Sequence, residues 1–134
     1  MSFKDIASIA GSAMAAQSVR LNTIASNLAN ADTAAPSEAE AYRARKPVFA
    51  AMMDSDAGGR VQVLDVVQSA EPLRRVYEPG NPLADAEGMV VYSNVNSVAE
   101  MADMMSASRA FETNVEVLGR IKSMQQSLLK LGEG

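Results

Sequence analysis

The sequence contains no cysteine and no histidine in 134 residues. Without cysteine there is no disulfide, no thiolate metal site and no thiol nucleophile. Without histidine the commonest general base and the commonest transition-metal ligand are missing. Catalysis would have to run on carboxylates or lysine alone, so an enzyme is the minority reading, and no cofactor or metal is expected. Aromatic residues are scarce at 4%, with no tryptophan, which argues against a dense aromatic core. No run approaches the roughly 18 apolar residues of a membrane span. Lys4 and Asp5 lead into an Ala/Ser/Gln-rich segment, so a cleaved secretory signal with a continuous apolar core is not expected. A basic surplus is absent too: 12 Lys and Arg stand against 16 Asp and Glu, a net charge of −4. Nucleic acid is therefore not an expected partner.

What is present is apolar but small. The 48% of apolar residues is rich in Ala and Met, which suits long helices that pack on other helices. The length fits one modest core. At the start, Ser2 and Asp5 have the spacing of a capping box, and no proline precedes Pro36. Written in heptads, Ala7, Met14, Leu21 and Leu28 share one seam position, while Ala10, Gln17, Ile24 and Ala31 share the other. Ile6, Ile9 and Ala13 widen this stripe, and Ser12, Arg20, Asn22 and Ser26 occupy the opposite face. The pattern predicts a helix from about Phe3 to Asn30, roughly 40 Å long. Such a helix cannot bury its own stripe and needs a partner helix or partner chains. Ala25 to Thr33 is poor in reactive groups and reads as a close-packing, helix-ending element.

Residues 34–96 read as a linker and a β-rich middle. Ala31 to Ala41 has no sustained period. Tyr42 to Phe49 alternates as an edge strand does, with Pro47 arguing against a central one. The basic trio Arg43, Arg45 and Lys46 reads as a solvated strand face, with an acidic partner as the alternative. Asp54 to Gly59 is a turn, followed by a β-branched strand over Arg60 to Val67. Asp54, Asp56 and Asp65 match positions 1, 3 and 12 of an EF-hand loop. Gly58 at position 5, an Asp rather than a Glu at position 12 and a strand downstream argue for a plain hairpin turn instead. Leu73 to Tyr77 and Met89 to Tyr92 are further strand candidates, separated by the turn-forming Glu78 to Pro82 and Asp85 to Gly88. Asp85 and Glu87 lack any nearby base or nucleophile and read as turn residues, not a catalytic pair.

From Ser97 a second long helix is predicted, capped by Ser97 and Glu100 and closed by Gly132 and Gly134. Met101, Met104, Met105, Phe111, Val115 and Leu118 begin an apolar stripe. Val117, Ile121, Met124, Leu128 and Leu131 continue it on a displaced face, so the two halves address different neighbours. The fold class is α+β: long N- and C-terminal helices over residues 1–33 and 97–134, and a small hairpin module between them. A helical adaptor recruiting one partner through Met101 to Met105 is the competing reading from composition and pattern.

Gly11 to Thr33, densest at Ser26-Asn27-Leu28-Ala29-Asn30, resembles the N-terminal signature of bacterial flagellar rod, hook and related axial proteins. Asn81 to Asn96, Glu100-Met101 and Ser106 to Val115, together with the short chain, resemble the proximal-rod members of the flagellar basal-body rod family. The resemblance implies a structural subunit that leaves the cell unfolded through the flagellar type III export apparatus. It implies that the two terminal helices pair as a coiled-coil-like domain and stack with other rod proteins, and with copies of the chain, into a tube that transmits torque. Packing between subunits is then expected at Met14, Leu21, Ile24, Ser26, Asn27, Leu28 and Asn30 on the first helix. On the second it is expected at Met101, Met104, Phe111, Val115, Leu118, Ile121 and Leu128. The resemblance also implies an export-recognition role for Phe3, with Ala7 at the hydrophobic position four residues on.

Overall fold

A computed structural model describes residues 2–55 and 58–133. The element order is α1 (Phe3–Ala29), β1 (Ala34–Ala35), β2 (Arg45–Asp54), β3 (Gly58–Gln68), β4 (Arg74–Tyr77), β5 (Met89–Tyr92) and α2 (Ser97–Glu133). Two long helices thus flank a small antiparallel β module, an α+β architecture.

Both ends of α1 close as local chemistry dictates. Ser2 N–H donates to Asp5 Oδ2 at 2.8 Å, and Asp5 N–H donates to Ser2 Oγ at 3.2 Å, so two otherwise orphaned donors are satisfied reciprocally. At the other end the Asn30 N–H reaches back to the Ser26 and Asn27 carbonyls, and Asn30 Nδ2 donates to Ser26 O at 2.9 Å. No glycine is needed there. The cap of α2 differs from the expected one by one residue: Asn96 Oδ1 accepts from Ala99 N–H at 3.1 Å, so Asn96 does the work assigned to Ser97. The helix also continues through Gly132 to Glu133, because an exposed glycine weakens a helix without forcing its end. Gly134 lies outside the described residues.

The strands form two sheets. β2 and β3 make a long hairpin whose register shifts between Val48 and Phe49, leaving Leu64 without an opposite residue. β5 is flanked by β4 along its length and by β1 at Tyr92 and Val91, giving the order β1-β5-β4. The segment expected as a featureless linker therefore supplies β1, which closes the small sheet beside the end of α1. The EF-hand alternative is replaced by the hairpin, in which Asp54 faces Gly58 while Asp65 faces Val48; Asp56 lies outside the described residues.

The core is thin and built of small residues: Ala10, Ala16, Ile24, Ala31, Ala35, Ala44, Val90, Val91, Ala107 and Ile121. α1 packs on α2 and on both hairpin strands. The helices run antiparallel, since Arg20 pairs with Asp103 while Phe3 shares a shallow cavity with Gln125, Leu128 and Leu129. At 37 residues α2 spans roughly 55 Å against roughly 40 Å for α1. Every α2 residue from Lys122 to Glu133 is exposed. The accessible surface is 8861 Å², about 2,000 Å² more than a compact monomer of this size presents.

Candidate functional site

The Ser-Asn-Leu-Ala-Asn stretch at the end of α1 is densely hydrogen-bonded to the segment that leads into β2. Asn27 is 1% exposed. Its Nδ2 donates to Arg45 O at 2.9 Å, while its Oδ1 accepts from Arg45 N–H at 2.9 Å and from Tyr42 Oη at 2.8 Å. One side-chain amide thus exchanges two hydrogen bonds with one backbone residue, as a neighbouring strand would. Tyr42 Oη also lies 2.9 Å from Ser26 Oγ. The hairpin is fixed to α1 a second time near its tip, where Val61 N–H donates to Ser12 Oγ at 3.0 Å. Ser12, Ser26 and Arg20, read from sequence as the polar face of a helix, are therefore the face on which the β module and α2 dock.

A second set of polar side chains joins the module to the start of α2. Ser93, 2% exposed, donates from Oγ to Ala31 O at 2.6 Å. Asn94 Oδ1 accepts from Ala44 N–H at 2.7 Å, and its Nδ2 donates to Glu71 O at 2.9 Å. These residues escaped sequence reading, because an Asn between a strand and a helix looks the same whether it faces water or ties three segments together. The basic trio divides: Arg43 donates to the carbonyls of Ser69 and Glu71, Arg45 lies 5.5 Å from the Tyr42 ring centre, and Lys46 points to a groove. That groove, of about 350 Å³, lies between α1, β2 and the first turns of α2, and the Arg20–Asp103 ion pair forms one of its walls.

The expected packing residues fall into different environments. On α1, Ile24 and Asn27 are buried, and Met14, Leu21, Ser26, Leu28 and Asn30 are half-buried. On α2, Ile121 is buried and Met104, Phe111 and Leu118 are half-buried, which with Ala107 gives one heptad face. Met101, Val115 and Leu128 stay exposed, at 55%, 46% and 54%. The apolar residues of α2 therefore divide between a covered face, on which Ile121 continues Met104 to Leu118, and an uncovered set. Val98, Met101 and Met105 open that uncovered set, and Met124, Leu128, Leu129 and Leu131 end it. Phe3 is half-buried against the end of α2.

The titratable groups act on turns. Glu78 accepts from Asn81 Nδ2 and from Tyr92 Oη, both of which hold its carboxyl below its ordinary value, and the same bond to Glu78 pushes the Tyr92 phenol up. Asp85 is held low chiefly by the Met89 N–H, with the Glu87 N–H adding to it. Lowered carboxyl values mean that the folded state binds these protons less readily than the unfolded chain. The stability they contribute is fully present above the ordinary carboxylate range and is lost as pH falls below it, through the lowered folded values. Loosening of the turn over residues 78–88 is expected on acidification below the ordinary carboxylate range. The check is the protection of the Met89 and Glu87 amides relative to their intrinsic exchange at each pH, which should fall on acidification in the native protein and fall less in Asp85→Asn.

Two family models match the chain: one described as Flagella basal body rod protein over residues 8–35, and one described as Flagellar basal body rod FlgEFG protein C-terminal over residues 86–131. The first covers most of α1 and the Asn27 clamp; the second covers β5, the Ser93–Asn94 tie and most of α2. The curated flagellar basal-body rod protein FlgC of Escherichia coli O6:H1 is 51% identical over 134 residues, covering 99% of this chain and 100% of that protein. The protein of the same name from Salmonella typhimurium LT2 is 50% identical over 136 residues, with the same coverage. That from Agrobacterium fabrum is 37% identical over 125 residues, 92% of this chain and 90% of its own length.

Proposed function

The chain belongs to the flagellar basal-body rod protein FlgC family, and from that premise we propose that it is a non-enzymatic structural subunit of the proximal rod. It reaches the rod through the flagellar type III export apparatus, packs its helices against neighbouring rod proteins and copies of itself, and passes torque through those contacts. The observation that carries this reading is the uncovered apolar set on α2, above all Met124, Leu128, Leu129 and Leu131 on its exposed final turns. Isolated exposed apolar residues need no explanation, but a run of them along a helix end marks an interaction site. A helical tube needs heterologous, non-closing contacts, so one subunit must offer different sticky faces at once. The covered face of α2 serves α1 of the same chain, and the uncovered set is free for neighbours. The surface excess of about 2,000 Å² matches what one subunit gives to two or three standard interfaces, at about 800 Å² each.

Export in an unfolded state fits a chain without disulfides and with a thin, Ala-rich core. Phe3 would be read by the export gate before α1 forms, since in the folded chain it packs against α2.

The test uses residues whose loss should not disturb the isolated fold. Met124→Lys combined with Leu131→Lys alters two exposed side chains that do not line the Phe3 cavity, so helicity and melting of the purified variant should stay within about 0.5 kcal/mol of the parent. Rod assembly and motility of cells carrying only this variant should be lost. If cells swim normally with both substitutions, helix-mediated assembly through the end of α2 is wrong. The adaptor alternative, resting on the exposed Met101 and Met105, is separated by light scattering: a stable 1:1 complex that never enters a larger assembly favours it.

A further inference from the structure

The two sheets protect their outer edges differently. β4 is four residues long and carries Arg74 and Arg75, and short charged edges resist the addition of another strand. β2 is ten residues long and has no charged residue from Pro47 to Met53. Two contacts reveal which of its backbone groups face outward. Arg45 gives both its N–H and its C=O to Asn27, so it points away from β3. Val61 gives its N–H to Ser12, so Val61 and its opposite residue Ala51 form a pair not hydrogen-bonded to each other, and Ala51 also points outward. Because the extra residue at the register shift, Leu64, lies on β3, the alternation along β2 is unbroken. Arg45, Pro47, Phe49, Ala51 and Met53 therefore share the outer edge.

That edge is closed at its root and open beyond it. Asn27 takes the place of a strand at Arg45, and Pro47 has no N–H to offer. Among the described residues, no hydrogen bond reaches Phe49, Ala51 or Met53 from outside the hairpin, and α2 does not pack on β2. Phe49 and Met53 are 38% and 84% exposed. At the root, Lys46 has no ion-pair partner among the described residues and lines the groove of about 350 Å³ beside Pro47 and Phe49.

We propose that β2 accepts, along Phe49 to Met53, an extended segment of a different protein chain by strand addition. That segment is uncharged where it pairs and carries an acidic residue that reaches Lys46. Main-chain hydrogen bonds supply the binding, and the Lys46 contact fixes the register. A second copy is the poorer occupant, because its β3 edge is taken by α1 at Val61. Pairing of β2 with β2 would close a symmetric dimer that cannot extend. Only that preference rests on the rod reading.

The probe is a synthetic peptide of alternating threonine and valine ending in glutamate, compared with the same peptide ending in lysine. Titrated into the full chain at millimolar concentration, the glutamate peptide should shift the amide resonances of Phe49, Ala51 and Met53. It should bind at least about 3-fold tighter than the lysine peptide, the effect of one exposed ion pair. Lys46→Glu should reverse that preference. Ala51→Pro, which removes an outward donor and none from the hairpin ladder, should abolish binding, and N-methylation of the peptide's alternate amides should do the same with the protein unaltered. Absence of shifts, shifts that survive N-methylation, or equal affinity for both peptides overturns the proposal. So does concentration-dependent dimerisation of the chain that Ala51→Pro removes, which assigns the edge to a second copy. None of these outcomes bears on the end of α2, and the α2 variants leave β2 unaltered, so the two readings fail separately.

Discussion

Asn27→Ala is expected to be the most damaging single truncation in the chain. It removes three hydrogen bonds and leaves the Arg45 N–H and C=O with no partner beside α1. The Arg45 groups are only part-buried, so each costs about 1 kcal/mol when its partner is removed, the low end for an unsatisfied group, and with the Tyr42 bond a loss of about 2–3 kcal/mol is expected. Against a total stability of about 5–15 kcal/mol, that leaves a population with the hairpin root detached. Chemical denaturation of the purified protein measures it. Tyr42→Phe removes only the hydroxyl bonds to Asn27 and Ser26 and should cost about 0.5–1.5 kcal/mol. Asn27→Asp separates geometry from volume: it keeps the acceptor for the Arg45 N–H but sets a carboxylate oxygen against the Arg45 carbonyl. It should therefore resemble the Ala variant. Equal stability of parent and Asn27→Ala would mean that the clamp contributes nothing net.

Ala107→Leu is expected to have the second largest effect, by the opposite mechanism. Ala107 is fully covered, at 0% exposure, in the middle of the face of α2 that meets α1. The covered residues of α1 include other small ones, Ala10 and Ala16, and a position with no exposed surface has no open space for three more carbons. Overpacking of this kind costs about 1–3 kcal/mol. The alternative to that strain is separation of the helices, which would expose Ile24 and Ile121. Thermal melting should fall by about 3–6 °C per kcal/mol for a chain of this length. A cysteine pair placed across the two helices should cross-link less readily than in the parent. Ala107→Gly, which leaves the contact distance unchanged, should lose only about 1 kcal/mol, the helix-propensity difference. An Ala107→Leu variant as stable as the parent would show that the helices are looser than their burial implies.

Both substitutions fall where sequence pattern alone does not name the partner. Ser12, Arg20 and Ser26 stood on the face opposite the apolar stripe, with only Ser26 among the expected packing residues. In the folded chain they receive the hairpin and α2. Asn27 lay inside a recognisable signature, yet nothing in its neighbours revealed that its amide would engage the backbone of Arg45, 18 residues away. Asn96 displaced Ser97 as the cap of α2 because capping depends on which residue leaves helical geometry last, and both side chains can do the chemistry. Ser93 and Asn94 had no legible role at all.

What the sequence by itself determined are the elements and their kind. Heptad spacing and the absence of proline set the two helices, the Ser2–Asp5 box set the start of α1, partly alternating β-branched residues set β3, and short runs bounded by turns set β4 and β5. The lack of cysteine and histidine removed most of catalysis from consideration. Those features are legible because they are local: each depends on residues within one or two turns or along one strand. Only the tertiary structure decided which stripe is covered and which is left open, that Asn27 rather than a third strand closes the root of β2, and that Phe49 to Met53 remain an unpaired edge. These depend on contacts between residues 18 to 83 positions apart, where the choice among possible partners is made by packing and by the need to satisfy buried backbone groups, and no local pattern encodes it.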